Sequence, residues 1–443
     1  MAKRPSAVAI VIAAYAALVF AVLGIVPLWL DELLQATSGR ESLAALLRSV
    51  ELNPGTSPLP YLVQRAMILV MGNSPYVARI PAALCSIAGA AVFARICRRF
   101  GIASPAWATA LFLVIPLQFR YALEARGYSQ GLLCVLLSLL LFLRGCELGT
   151  GAAAVLYGLS VGVGLYSQPL TALPVVASLF WLIGQREIAV GTRRTMAGTA
   201  GLALAAYLPW FLLQRHAQES AGTLAAYFFS WRQVTPWEML HEVSGGGYIC
   251  GAASLAAAAV GVTKMPHRRF LGCVAVGCVA GPIFVDTLDD YFFAARQLLF
   301  AVPVLALCAA AGVERLRQGR RPYPGYALAA LLIGTAAVSD YRVATVPKDG
   351  FGQQAAVLAA RFPPDGCLAV VPPNQVVYYE FLRPELAGKI CGGTLTDGNV
   401  VAVMSPYSTV GEREELLELL NRSYEEQAVW QAGAGAIVDY RRR

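Results

Sequence analysis

Four short stretches of this 443-residue chain gather ionisable and aromatic side chains at the ends of apolar runs. The first is Leu28-Trp29-Leu30-Asp31-Glu32. The second is Phe119-Arg120-Tyr121-Ala122-Leu123-Glu124-Ala125-Arg126-Gly127-Tyr128. The third is Leu165-Tyr166-Ser167-Gln168-Pro169, and the fourth runs from Asp289 and Asp290 through Tyr291 to Arg296. Asp31 and Glu32 can supply a general base and a second carboxylate that orients a group or meets a cation. Arg126 and Arg296 can grip a phosphate through the guanidinium fork. Tyr121, Tyr128 and Tyr291 offer hydroxyls or flat faces to a sugar or an isoprenoid chain, and Tyr166 and Gln168 add polar contacts. A base with arginine clamps beside lipid suits group transfer from a lipid phosphate, the phosphate departing.

Each stretch taken alone has a plainer reading. Asp31 and Glu32 fit the first turn of an interfacial helix beginning near Leu33. Glu124 and Arg126 stand two apart and do not face each other on a helix. Arg296 fits a snorkelling arginine, and Tyr166 and Tyr291 fit an aromatic belt. The order of the four, all on one side of the apolar runs, favours a shared cavity, because charges held at a membrane boundary are costly unless they pair or serve a site.

The elements that position them follow from composition. Charged residues make up 14% of the chain and hydrophobic ones 57%, against roughly 25% charged in an ordinary soluble protein. That excludes a disordered chain, a coiled coil and a free secreted domain. Apolar stretches suited to crossing a bilayer run at 6–27, 79–97, 104–119, 129–143, 151–167, 170–184, 196–213, 247–263, 270–286, 297–313 and 324–340. About 11 transmembrane helices are therefore expected over residues 1–340. Met1–Phe20 has the basic start of a signal peptide, but no small-residue cleavage site precedes Asp31, so it reads as the first span. With the amino terminus cytoplasmic, Arg95, Arg98, Arg99, Arg193, Arg194, Arg268, Arg269, Arg315, Arg317, Arg320 and Arg321 all fall in short inner loops. This fits the positive-inside rule and puts the four clusters outside. The net charge of +8 is then mostly an orientation signal rather than a nucleic-acid footprint.

After residue 340 the composition becomes polar. CLAVVPP, KICGG and VVAVMSP read as strands and GEREELLELLNRSYEE as an amphipathic helix, giving a small extracytoplasmic α/β domain over 341–443. Cys367 and Cys391 lie in that segment, where a disulfide is permitted but not required. The other cysteines read as small apolar fillers within or beside the spans.

The ordered set WLDE, SPLPY, ARIPAALCSIAGAAVFARICRRFG, YALEARGYSQGLLCVLLSLLLFL and YFFAARQLLFAVPVLALCAA resembles the polytopic GT-C glycosyltransferases. These include the protein O-mannosyltransferases and the bacterial aminoarabinose and galacturonic acid transferases. The likeness covers most of residues 1–315. It implies a polyprenyl-phosphate sugar as donor and an envelope glycan, lipid or protein as acceptor. Transfer would occur on the outer face of a bacterial inner membrane, with inversion at the anomeric carbon. It also implies Asp31 as base, Glu32 as the second acid, Glu124 as the acid of a second outer motif, and Arg126 and Arg296 as donor-phosphate contacts. Tyr61 closes the SPLPY motif and joins the expected substrate-binding residues. Many relatives have His-Pro-Pro-Leu-Tyr-Tyr there, whereas this chain has Thr56-Ser57-Pro58-Leu59-Pro60-Tyr61. No metal ligand or cofactor is assigned, and a divalent metal stays open; His216 and His241 are the histidines in expected outer sequence. Two rival classes remain: a transporter or lipid flippase using the charged cavity, and an envelope assembly protein working through its tail. Transporters tend to show inverted repeats and mid-span charges, and neither is found here.

Overall fold

The computed structural model describes residues 6–53, 55–220, 235–244, 247–263, 265–289, 294–391, 399–433 and 435–443. The chain forms two compact units. One comprises Met1–Leu23, Ser42–Gln64 and Arg79–Ala344; the other comprises Gly24–Glu41, Arg65–Ala78 and Thr345–Arg443.

The first unit is helical. Among the described residues six helices are long and apolar enough to cross a membrane: Pro75–Arg99, Tyr128–Leu148, Val190–Ser220, Arg268–Leu288, Arg296–Gln318 and Tyr323–Thr345. Shorter apolar helices include Ala7–Val22, Gly151–Ser167 and Gly247–Val262. The run expected as one span over 104–119 is instead two helices, Pro105–Leu113 and Pro116–Ala122. Pro116 lacks the amide that would continue the first helix and suits the opening turn of the second. Likewise Pro169 separates Gly151–Ser167 from Ala172–Ile183 through a short 3₁₀ turn. Pro58–Met71, expected as outer loop, is a further short apolar helix.

Small residues let these helices approach. A Cβ added to Gly312 would collide with the carbonyl of Ala257, and one on Gly261 with that of Cys308. This is the backbone proximity that drives helix association where lipid supplies no hydrophobic gain. Charged residues tie the helix ends: Glu314 accepts the amides of Ala103 (3.1 Å) and Ser104 (2.7 Å), and Arg315 donates to Val260 O at 2.5 Å.

The second unit holds a four-stranded sheet in the order β1-β2-β4-β3, with β1 Cys367–Val371, β2 Val400–Met404, β3 Tyr424–Ala432 and β4 Gly435–Arg442. β1 and β2 are parallel with Cys367 opposite Val400, and β4 is antiparallel to both β2 and β3. The acidic helix spans Val410–Asn421, capped by Thr409. The Tyr424-Glu425-Glu426 end of the expected helix is instead the start of β3, its glutamates exposed on an edge strand, where charge suppresses stray pairing. KICGG contributes one bridge, Leu368 to Ile390; its last two residues, Gly392 and Gly393, lie outside the described residues. One face of the sheet shares a core with Leu28, Leu33, Phe351, Leu358 and Tyr379.

Cys367 and Cys391 form a disulfide across 24 positions. Closing a loop of that size stabilises by about 3 kcal/mol in the chain-entropy model. Replacing both with serine should lower the unfolding temperature of this unit, read by scanning fluorimetry of the detergent-solubilised protein. Identical melting of the natural protein with and without reductant would contradict that role.

Candidate active site

The helical unit supplies the phosphate-type and aromatic residues. Pro116–Ala122 ends beside Tyr121, residues 123–127 turn, and Tyr128–Leu148 begins. Tyr121 and Tyr128 are buried, with ring centroids 4.4 Å apart at 44°. Ser129 Oγ donates to Tyr121 O at 2.7 Å, closing the turn. The phenol of Tyr121 lies within electrostatic reach of Glu124, Tyr128, Arg296 and Arg120. Glu124 is buried, and Arg126 and Arg296 are half-buried. The structure thus brings Arg296 to the turn that carries Arg120, Tyr121, Glu124 and Tyr128. Arg126 follows in the same turn, its amide donating to Glu124 O at 2.8 Å.

Gly127 is where three of the sequence motifs meet. A Cβ there would stand 2.5 Å from Pro60 Cγ of SPLPY and 2.5 Å from the carbonyl of Ser167. Only glycine admits that approach. Around it, Ser57 Oγ donates to Leu165 O at 2.8 Å and shares a hydrogen bond with the Tyr207 hydroxyl at 3.3 Å. Tyr166 donates to Ala206 O at 3.0 Å and meets the Tyr207 ring edge-on at 5.2 Å. Gln168 is buried, and its Oε1 has no hydrogen-bond partner among the described residues. Tyr61 is fully buried against Leu46, Val50 and Trp210 and accepts from Asn53 Nδ2 at 3.1 Å, a core position. Tyr291 lies outside the described residues.

Among the cavities of the same unit, two bear on these residues. One, of about 710 Å³, is walled by apolar side chains including Trp237, Leu240, Leu271, Leu298 and Ala301. Leu298 and Ala301 belong to the 3₁₀ segment Ala295–Ala301 that also carries Arg296. The other, of about 460 Å³, runs beside Leu165, Pro169, Leu170 and Tyr207 to Gln214 and Arg215.

The paired acids belong to the second unit. Asp31 and Glu32 occupy the first turn of Leu30–Ser38, so the helix begins at Leu30 rather than Leu33. Glu32 is fully buried and accepts the Trp29 amide at 3.4 Å; Asp31 is half-buried. A third acid, which the sequence did not single out, stands beside them. Asp349 Oδ2 accepts the Leu30 amide at 2.9 Å and its Oδ1 the Phe351 amide at 3.3 Å. Burial raises the Asp349 carboxyl above the ordinary carboxylate range, the two amides oppose this, Glu32 adds to it and Lys348 subtracts. Lys348 Nζ sits 4.2 Å over the Trp29 ring. Burial, then Asp349 and Asp31, push the Tyr407 hydroxyl up to about 12.

Among the described residues no cluster of side chains that could hold a metal is found. Thr56 Oγ1 donates to Asn53 O at 2.8 Å and Ser57 Oγ to Leu165 O, so both hydroxyls are committed to backbone. Among the described residues no three His, Cys, Asp or Glu side chains gather as a metal would need, and His216 and His241 are exposed.

Replacing Gly127 with alanine should cost about 1–3 kcal/mol by overpacking against Pro60 and Ser167 O. The check is the unfolding temperature of the purified variant, and unchanged stability would contradict the close approach.

Residues 54–212 match the family model of the dolichyl-phosphate-mannose-protein mannosyltransferases. No curated protein matches the chain by sequence. Among solved structures, ArnT from Cupriavidus metallidurans in the apo state aligns over 97% of this chain and 97% of its own, with TM-score 0.63 and 15% identity. The same protein bound to undecaprenyl phosphate aligns with TM-score 0.64 over the same shares of both chains. The arabinofuranosyltransferase AftD from mycobacteria aligns over 97% of this chain and 41% of its own, with TM-score 0.54 and 16% identity. At such identities the likeness is one of fold.

Proposed function

We propose that this membrane protein is a glycosyltransferase of the GT-C type that moves a sugar from a polyprenyl-phosphate donor to an acceptor outside the inner membrane, a reading supported by its family match over residues 54–212 and by its fold. The acceptor is an envelope glycan, lipid or protein hydroxyl. In this reading Arg126 and Arg296 hold the donor phosphate and neutralise the charge that grows on it as the glycosidic bond breaks. Asp31 takes the proton of the attacking hydroxyl, and displacement inverts the anomeric centre. Glu32 orients the acid pair, and Glu124 lies with the arginines. Tyr121, Tyr128, Tyr166, Gln168 and Tyr291 contact the sugar. Tyr61, bound up in the core, acts by holding SPLPY in place.

The observation that carries this reading is the position of Arg296. It shares one short segment with the apolar wall of the 710 Å³ cavity and lies with Tyr121 and Glu124 at the turn. A prenyl chain lying along that wall would bring its phosphate to the arginine. The structure of ArnT with undecaprenyl phosphate supports such a carrier. A transporter reading loses support because the matched family and fold are those of transferases. About eleven spans, a cytoplasmic amino terminus and an extracytoplasmic segment 341–443 complete the reading.

Asp31→Asn should reduce transfer from a polyprenyl-phosphate sugar by at least about 100-fold, the usual worth of a general base. Full transfer by this variant would remove Asp31 from that role. Arg296→Ala should raise the donor KM about tenfold, as loss of one charged hydrogen bond implies. Unchanged donor use would remove it from the phosphate. Alkaline phosphatase fused after Arg443 should be active in cells, and an inactive fusion would reverse the orientation.

A further inference from the structure

The second unit holds an acid that the transfer reading does not use. Asp349 precedes the helix Phe351–Arg361, far in sequence from the acid pair, and yet its carboxylate links two helix starts. One oxygen accepts the Leu30 amide at 2.9 Å and the other the Phe351 amide at 3.3 Å. The first amides of a helix have no partner within it, so this contact fixes the opening turn of Leu30–Ser38. Asp31 is the next residue along that turn. Neighbouring contacts repeat the clamp. Lys348 lies over the Trp29 ring at 4.2 Å, Gly352 packs where a side chain would strike Pro27, and Phe351 is buried in one core with Leu28 and Leu33.

We propose that Asp349 is a positioning residue for transfer: bonded to the Leu30 amide, it sets the orientation of the turn that presents Asp31 and Glu32. The carboxy-terminal segment is thereby part of the catalytic apparatus rather than an appended domain. The inference rests on the reading of Asp31 as the base. Its force comes from geometry: a base displaced by about 1 Å can lose on the order of 100-fold in rate, and a turn released at its first amide can move by that much.

Chemistry separates this role from simple stabilisation. Asp349 is faced by Glu32 on the Leu30 helix, by Lys348, and by the hydroxyls of Tyr379 and Tyr407, the last of which also lies within reach of Asp31. Its carboxyl is raised, first by burial, so the folded chain binds that proton more tightly than the unfolded chain. The group therefore supports the fold at low pH and loses that support as pH rises through its raised value. An asparagine keeps an oxygen for the Leu30 amide without the buried charge.

The test uses the full-length protein in liposomes with a polyprenyl-phosphate sugar, comparing Asp349→Ala, Asp349→Asn, Asp31→Asn and Asp349→Ala with Asp31→Asn. Asp349→Ala should lower kcat about 10- to 100-fold, with the donor KM within about twofold. Asp349→Asn should recover most of that kcat and, at pH 7, unfold no lower than the natural protein, the difference closing as pH falls toward 4, roughly the ordinary carboxylate value. Combined with Asp31→Asn, the alanine should add almost no further loss, because it acts through Asp31. Natural kcat in Asp349→Ala, a loss that only follows the amount of folded protein, or full additivity with Asp31→Asn would each overturn the proposal. Full transfer by Asp31→Asn alone would instead overturn the base assignment beneath it.

Discussion

A backbone group freed by a broken helix must find a hydrogen bond, and in a membrane-spanning protein water is a poor source of one. An unmet buried group costs about 1–3 kcal/mol, so a helix break survives only where side chains answer it. In the helical unit the breaks and the answers coincide with the residues of the candidate site. Gln214 Nε2 donates toward the carbonyls of Val50, Asn53 and Thr56 at 3.0–3.2 Å. Ser57 answers Leu165 O, and Ser129 answers Tyr121 O. These contacts hold the turns that carry Arg126, Tyr128 and Gln168. The arginine-bearing turn exists because its neighbours supply the hydrogen bonds that the interrupted helices give up.

The second unit follows the same rule with charge in place of amides and hydroxyls. The Leu30–Ser38 helix begins with unmet amides, and carboxylates from Glu32 and Asp349 meet them. Negative groups at a helix start also gain from the helix dipole. Part of the acid chemistry at this turn is therefore structural: Glu32 is buried and spent on Trp29, while Asp31 stays half-exposed. The proposed base is the half-buried member of the pair, Asp31.

Long apolar helices were legible in the sequence because a membrane span writes itself as uninterrupted hydropathy, as in Tyr128–Leu148 and Tyr323–Thr345. The break at Pro116 was equally encoded, but it sits inside an apolar run, 104–119, that reads as one continuous span. β3 was hidden for another reason. On an edge strand its outward face is free to be charged, so Tyr424-Glu425-Glu426 continued the acidic helix in appearance. The gathering of Tyr121, Glu124 and Arg296 was readable as residue types flanking apolar runs. Tyr61 was readable as a motif residue, but its burial against Trp210 was not. Asp349 was invisible because Lys348-Asp349-Gly350 reads as an ordinary turn. Its partner amide at Leu30 lies 319 residues away, and no local pattern spans that distance.

Transfer differs from every rival reading in the fate of the donor. Purified protein in liposomes, given a labelled polyprenyl-phosphate sugar and an envelope extract as acceptor, should release free polyprenyl phosphate in step with label appearing on the acceptor, with the anomeric configuration inverted. Donor that crosses the bilayer with its sugar still attached, and no free polyprenyl phosphate, would contradict the account.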